Sequence, residues 1–318
     1  VVIFIATALL TILCIFLGME PIRAIFQSLW LAISGFTTGG FAPMGESVLY
    51  YHSIGLEIVL MVLMIIGTIN FVLYTEIIRG RTAAFFRDLE IRTMVVWLSV
   101  MTLVFAAALT ATASFSDLGA MLRRGLFMII SAFSTTGFQN ITSNQMTTVF
   151  SSGAFLVIAV LMAVGGSAGS TTGGIKFSRI GIIMKSVAAA RAVATIKEAL
   201  APDSARVVVS YNHVGRRVLA PDIVKEAMMV FILYVVTYAI GALVGIAHGY
   251  EATQAIFESV AMASNGGLSS GLASPGMPPT LELFYILQMW AGRLEFVTLL
   301  ALVVEIVVSL DPRRLVNR

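Results

Sequence analysis

The sequence predicts an all-α membrane protein built from repeated units of span, re-entrant half-helix, loop and span, and three observations carry that prediction. Of its 318 residues, 58% are hydrophobic and 12% charged, whereas soluble domains carry about a quarter charged residues. Apolar windows lie near 1–18, 54–78, 93–113, 147–165, 175–195, 228–247 and 283–309, each read against the roughly 20 residues that cross about 30 Å of hydrocarbon. A Ser/Thr/Gly loop also recurs along the chain. Cys14 is the single cysteine, which excludes an intrachain disulfide scaffold. Twenty Lys and Arg against 17 Asp and Glu leave a net charge of +3, too small an excess for a nucleic-acid binder.

The first window opens at Val1 without an initiator Met, a basic leader or a small-residue cleavage site, so it does not read as a signal peptide. An apolar run beginning at the first residue is expected to continue a longer sequence upstream. Before each recurring loop lies an apolar segment of half a span: Pro21 to Ile33, Leu118 to Phe133 and Ala252 to Ala263. Pro21 suits a first helical turn, while Ser116 or Asp117 and Thr253 are candidate caps for the other two. If each segment enters the membrane and turns back, its C-terminal end aims the negative pole of its dipole at the loop, which favours a cation there.

The loops align at constant offsets. Ser34-Gly35-Phe36-Thr37-Thr38-Gly39-Gly40-Phe41 matches Ser131-Ala132-Phe133-Ser134-Thr135-Thr136-Gly137-Phe138 ninety-seven residues on, and Ser264-Asn265-Gly266-Gly267-Leu268 follows weakly after a further 130. Glycine tolerates the backbone angles that turn successive carbonyls toward an ion, and neighbouring hydroxyls hold such a loop or add oxygen ligands. A single loop of this composition is an ordinary polar turn; three copies after three half-spans argue for an ion filter. In the third copy the register is open by one, between Gly266 and Gly267.

Between the fourth and fifth windows runs Gly165-Gly166-Ser167-Ala168-Gly169-Ser170-Thr171-Thr172-Gly173-Gly174-Ile175, which reads as a break within a membrane helix over 146–200. Irregular backbone at that depth is tolerated only where protein buries it or it lines a watery cavity. A glycine-rich packing seam is the plainer alternative. A phosphate loop is not supported, because Ile175 stands where its lysine belongs and no strand precedes it. Basic clusters at Arg79, Arg81, Arg87 and Arg92, from Lys176 to Lys225, and at Arg313, Arg314 and Arg318 place those segments in the cytoplasm.

These motifs, with Gln288-Met289-Trp290-Ala291-Gly292-Arg293-Leu294-Glu295-Phe296-Val297-Thr298-Leu299-Leu300, resemble the Trk/Ktr/HKT superfamily of potassium uptake proteins over nearly the whole chain and in order. The resemblance implies a potassium-channel-like, pseudo-fourfold pore of four M1–P–M2 units in one polypeptide, two such subunits forming a homodimer in the cytoplasmic membrane. Three units are visible: 1–80, similar to the second of the family; 81–200, similar to the third, with the gating loop at 165–175; and 223–318, similar to the fourth, after a linker at 201–222. The first unit is missing from this register. By the same resemblance, Thr37, Thr38, Gly39, Gly40, Ser134, Thr135, Thr136, Gly137, Ser264, Asn265, Gly266 and Gly267 belong to the filter, with K+ as the ion conducted. Gly165, Gly166, Gly169, Ser170, Thr171, Thr172, Gly173, Gly174, Lys176 and Arg293 belong to the gate. A cytosolic nucleotide-binding regulatory subunit (TrkA/KtrA-like) is the implied partner.

Arg293 falls deep inside the last apolar window, where a mid-bilayer arginine costs about 3 kcal/mol. Pairing with Glu295 is disfavoured because i and i+2 do not share a helix face, which favours an arginine facing a cavity beside the gating loop. His52, His213 and His248 are scattered at window borders without metal-ligand spacing, so no transition-metal site is expected. Catalytic triads, paired carboxylates and Cys-x-x-Cys are absent, which leaves no carrier for enzymatic chemistry and no cofactor. Residues 205–219 alternate around Asn212 to Gly215 and predict a short hairpin, serving topology or docking the regulator. Competing functions are a sodium-permeable or sodium-coupled transporter of the same superfamily, and an alternating-access secondary transporter using the broken helix.

Overall fold

The computed structural model describes residues 1–110, 118–199, 209–294 and 296–309. They are helical apart from one two-stranded hairpin, as the composition predicts. In chain order the helices are α1 (Val2–Phe16), α2 (Pro21–Phe36), α3 (Ile54–Thr68), α4 (Phe71–Ile78), α5 (Thr82–Arg87), α6 (Leu89–Thr110), α7 (Leu118–Phe133), α8 (Ser143–Val149), α9 (Ser152–Ala163) and α10 (Phe177–Ala199), with a 3-10 turn at Ser47–Tyr51. After strands β1 (Ser210–Asn212) and β2 (Arg216–Val218) come α11 (Pro221–Ala247), α12 (Ala252–Ser264), α13 (Pro279–Arg293) and α14 (Phe296–Ser309).

The three half-spans are helices α2, α7 and α12, and they extend to within a residue or two of their loops. Pro21 occupies the first turn of α2. Thr253 is not the cap of α12: that helix starts at Ala252 after Glu251, and no side chain caps it. Ser116 and Asp117 lie outside the described residues.

Several windows resolve differently from a set of straight spans. Among the described residues, only α6 and α11 are each long and apolar enough to cross a membrane unaided. The window at 54–78 is two helices bent by 96°. One cause is local and one distant: the Asn70 side chain caps α4 by accepting from the Val72 amide at 2.9 Å, and the carbonyls of Gly67 and Thr68, which a continuing helix would occupy, accept amides of Thr171 and Ser167 at 3.3 and 2.9 Å. The window at 147–165 is divided where Ser151 caps α9, accepting from the Ala154 amide at 3.1 Å. The window at 283–309 is α13 and α14. Arg293 is the last residue of α13, an end where the helix dipole favours a cation.

Packing joins these pieces through two main apolar clusters. Leu10, Cys14, Leu31, Leu56, Leu60 and Met64 tie α1 to α2 and α3, and Phe127 and Ile130 of α7 extend that cluster. Phe105, Met128, Phe155, Ile158, Met162 and Phe257 join α6, α7, α9 and α12. Each half-span helix is thereby packed between neighbouring helices. A bidentate ion pair sets α7 on α3: Arg123 donates from Nε and Nη2 to Glu57 at 2.9 and 2.8 Å.

Candidate ion-conduction site

The three re-entrant helices end in one and the same way. At the C-terminus of α2 the Thr38 amide bonds to the Gly35 carbonyl and the Gly39 amide to that of Ser34; at α7 the pairs are Thr135 to Ala132 and Thr136 to Ser131; at α12 they are Asn265 to Met262 and Gly266 to Ala261. The second bond of each pair, reaching five residues back, belongs to the helix cap that requires a left-handed residue. That residue is Thr38, Thr135 or Asn265, at φ 50°, 50° and 52°. A threonine there is strained, and its surroundings hold it. Two residues on, Gly40, Gly137 and Gly267 again have positive φ, 70°, 92° and 68°. The alternating backbone sense repeats at offsets of 97 and 130, and it aligns Gly267, not Gly266, with Gly40 and Gly137.

The loops converge on one another. A β-carbon added to Gly40 would stand 1.8 Å from the Thr136 carbonyl oxygen, and one added to Gly137 would stand 2.6 Å from the Gly267 α-carbon. Side chains pin the residues after each loop to its own helix or to the next loop. Trp30 donates to the Phe41 carbonyl at 3.1 Å and Ser131 to that of Phe138 at 2.7 Å. Glu258, fully buried on α12, accepts from the Ser269 hydroxyl and from the amide and hydroxyl of Ser270 at 2.7 to 2.9 Å. Gln139 bridges onward to the Ser269 carbonyl at 3.1 Å.

Against this cluster lies the glycine-rich segment between α9 and α10. It meets all three loops: the Thr171 and Thr38 hydroxyls are 3.0 Å apart, the Gly173 amide donates to Thr135 Oγ1 at 2.8 Å, and the Gly173 α-carbon packs on the Ser264 carbonyl. Its glycines admit these approaches, since a β-carbon on Gly165 would fall 1.9 Å from the Gly173 carbonyl oxygen and one on Gly166 would fall 2.6 Å from that of Thr68. Within the segment, Ser170 and Thr172 hydroxyls lie 2.7 Å apart, and Lys176 folds back to the Thr172 carbonyl and hydroxyl. Gly169 and Gly174 take positive φ at its turns. Arg293 donates from Nη1 to the Thr171 carbonyl at 3.1 Å. It also lines, with Thr37, Gly40, Thr136, Asn265 and Gly267, a cavity of ≈ 540 Å³ beside the loops. Glu295 lies outside the described residues.

Two groupings were not legible in the sequence. Glu57 and Arg123 are 66 residues apart and belong to no motif. The hairpin predicted at 205–219 pairs Ser210 with Val218 and Asn212 with Arg216, residues 205–208 lying outside the described residues, and its turn carries His213 to Asp88 and Glu90. The reading of His213 as an isolated interfacial histidine is thus corrected, because linear spacing does not register a hairpin folding onto the start of α6. The Asp88 carboxylate 3.5 Å away raises the His213 pKa above its ordinary value, aided by Glu90 and opposed by burial. His248 is satisfied locally, by the Val244 carbonyl and the Thr280 hydroxyl at 2.8 and 2.9 Å.

Compared with known proteins, the chain matches the TrkH family model, described as a cation transport protein, over residues 1–309. An uncharacterized cation transporter of Methanocaldococcus jannaschii is 30% identical over 294 residues, covering 92% of this chain and 57% of that protein. The Trk system potassium uptake protein TrkH of Escherichia coli K12 is 25% identical over 304 residues, covering 92% of this chain and 59% of that protein. The crystal structure of the potassium transporter TrkH from Vibrio parahaemolyticus is similar in fold, with a TM-score of 0.76 at 22% identity, over 97% of this chain and 62% of that one. The chain spans less than two thirds of the length of these relatives.

Proposed function

The chain belongs to the TrkH family of cation transport proteins, and on that premise we propose that it conducts potassium ions through a carbonyl-lined filter formed by residues 37–40, 134–137 and 264–267. The carrying observation is the threefold repetition of one helix cap and one pattern of positive φ, at Thr38 and Gly40, Thr135 and Gly137, Asn265 and Gly267. Three helix C-termini directed at these loops supply partial negative charge, and successive carbonyls replace the hydration shell of a cation entering them. The cavity of ≈ 540 Å³ bordered by the first and third loops accommodates a fourth strand, which would complete a pseudo-fourfold ring.

Residues 165–176 act in this reading as the gate. They touch all three loops through Thr171 and Gly173, and opening requires those hydrogen bonds to part. Arg293 latches the loop through the Thr171 carbonyl and sets a positive charge in the path. The protein acts in the cytoplasmic membrane, as a homodimer, under a cytosolic nucleotide-binding regulatory subunit. It moves ions and carries out no covalent chemistry.

The test is complementation of a strain lacking potassium uptake, at low external potassium. The chain supplied with a fourth filter loop from a TrkH relative should restore growth, whereas the three-loop chain alone and the Gly137→Ser variant of the four-loop form should not. Equal rescue by all three would overturn the reading.

A further inference from the structure

Three groups from two distant segments meet at the N-terminal end of α6. His213 Nδ1 stands 3.5 Å from Asp88 Oδ2 and 3.7 Å from Glu90 Oε2, and one donor atom from each residue lies within 4.8 Å of the others. Glu90 is fully buried. One of its oxygens accepts from the Ala168 amide at 2.7 Å, while Oε2 and His213 Nδ1 are both buried without a hydrogen-bond partner. Asp88 is oriented from the opposite side, its two oxygens accepting from the amides of Glu90 and Val214 at 2.8 and 3.1 Å. Backbone amides therefore hold both carboxylates, and each turns an oxygen toward the imidazole.

We propose that Asp88, Glu90 and His213 bind a divalent transition-metal cation such as Zn2+, taken from the cytosolic side. Metal–ligand bonds of about 2.0–2.2 Å at a tetrahedral angle place ligand atoms about 3.4 Å apart, close to the two measured separations. Two carboxylates with one imidazole suit zinc or manganese better than magnesium, which prefers oxygen donors and keeps its waters. Three protein ligands leave a coordination position open to water. The second shell exists already in the Ala168, Glu90 and Val214 amides. A cavity of ≈ 530 Å³ lined by Arg81, Arg87, Asp88, Asn212, Val214 and Arg216 reaches the site. Its arginines slow cation entry, and Arg217 also acts on His213, but the two buried carboxylates dominate at the coordination point. Coordination through Nδ1 requires the neutral imidazole, so binding weakens as pH falls.

The position gives the ion a role. Glu90 touches the glycine-rich segment at Ala168, and His213 belongs to the hairpin, so the bound metal ties hairpin, α6 and that segment into one unit.

The experiment uses the full chain purified in detergent, stripped with a chelator, then titrated with Zn2+ by calorimetry and with Co2+ by visible absorption. The expected result is one ion per chain, with His213→Gln and Glu90→Gln each weakening Zn2+ at least about ten-fold, and a Co2+ ligand-field spectrum that His213→Gln alters. Hydrogen exchange at 209–219 should slow on Zn2+ addition in the wild type alone. No saturable binding by the wild type, or equal affinity and unchanged Co2+ spectra in His213→Gln, would overturn the proposal and leave an ion-paired cluster. His213 lies on a peripheral hairpin, so that variant decides the matter even if Glu90→Gln fails to fold.

Discussion

The α-carbon of Gly173 rests so close to the backbone carbonyl of Ser264 that an added β-carbon would stand 1.8 Å from the oxygen. The contact joins the glycine-rich segment to the end of a re-entrant helix, and the Gly173 amide simultaneously donates to Thr135 Oγ1. Neither the carbonyl nor the amide can yield without moving a loop. Gly173→Ala should therefore lift the segment from the loops and raise unstimulated rubidium uptake several-fold. Gly45→Ala is the control, since nothing lies within 4 Å of an added β-carbon there. Equal basal flux in both variants at equal membrane abundance would mean that the segment does not occlude the path.

Adjacent glycines of the first loop should behave differently. Gly40 has positive φ and faces the Thr136 carbonyl, whereas an added β-carbon on Gly39 would meet nothing nearer than 3.5 Å. Gly40→Ser should lower the preference for rubidium over sodium in paired uptake measurements, and Gly39→Ser should leave it within about two-fold. Loss in both, or in neither, would argue against the register of alternating positive φ.

The repeat was legible because it is local: half-span, hydroxyl pair and glycine lie within one short segment, and the helix cap follows from those residues. The break of the broken helix was legible too, since small residues in an apolar run advertise it. The 96° bend between α3 and α4 was not, because Gly67 and Thr68 surrender their carbonyls to Thr171 and Ser167, an exchange with a segment a hundred residues away. The helix end at Arg293 was hidden for a related reason. Apolar residues on both sides conceal a helix end when no polar turn marks it.

Glu57 and Arg123 show the energetic side of such distant pairing. Glu57 is 5% exposed and Arg123 34%. Removing one partner of a fully buried pair costs about 3–5 kcal/mol; the partial exposure of Arg123 reduces this to on the order of 2 kcal/mol for Glu57→Ala. The variant should unfold at lower temperature in detergent, and Arg123→Lys, which keeps the charge but loses the bidentate fork, should fall between it and the wild type. An unchanged midpoint for Glu57→Ala would show that the α3–α7 contact rests on packing by Phe127 and Ile130.

Arg293 offers the most discriminating test because its two effects separate by substitution. Its guanidinium donates to the Thr171 carbonyl at 3.1 Å, holding the segment against the loops, and its charge raises the energy of a cation in the cavity that it lines. Arg293→Ala removes both, so basal rubidium flux should rise most. Arg293→Lys keeps the charge on a flexible stem without the planar five-donor fork, and its flux should be intermediate. Arg293→Gln retains a donor for Thr171 without the charge, so its position relative to lysine ranks the two contributions: above lysine if repulsion dominates, below if the hydrogen bond does. The last residue of α13 sits where the helix dipole favours a cation, so modest destabilisation accompanies every neutral variant, and flux is therefore normalised to folded protein in the membrane. If Arg293→Ala is present at wild-type abundance and conducts no more than the wild type, Arg293 serves the helix end alone and the segment is held by Gly173 and Thr171 without it.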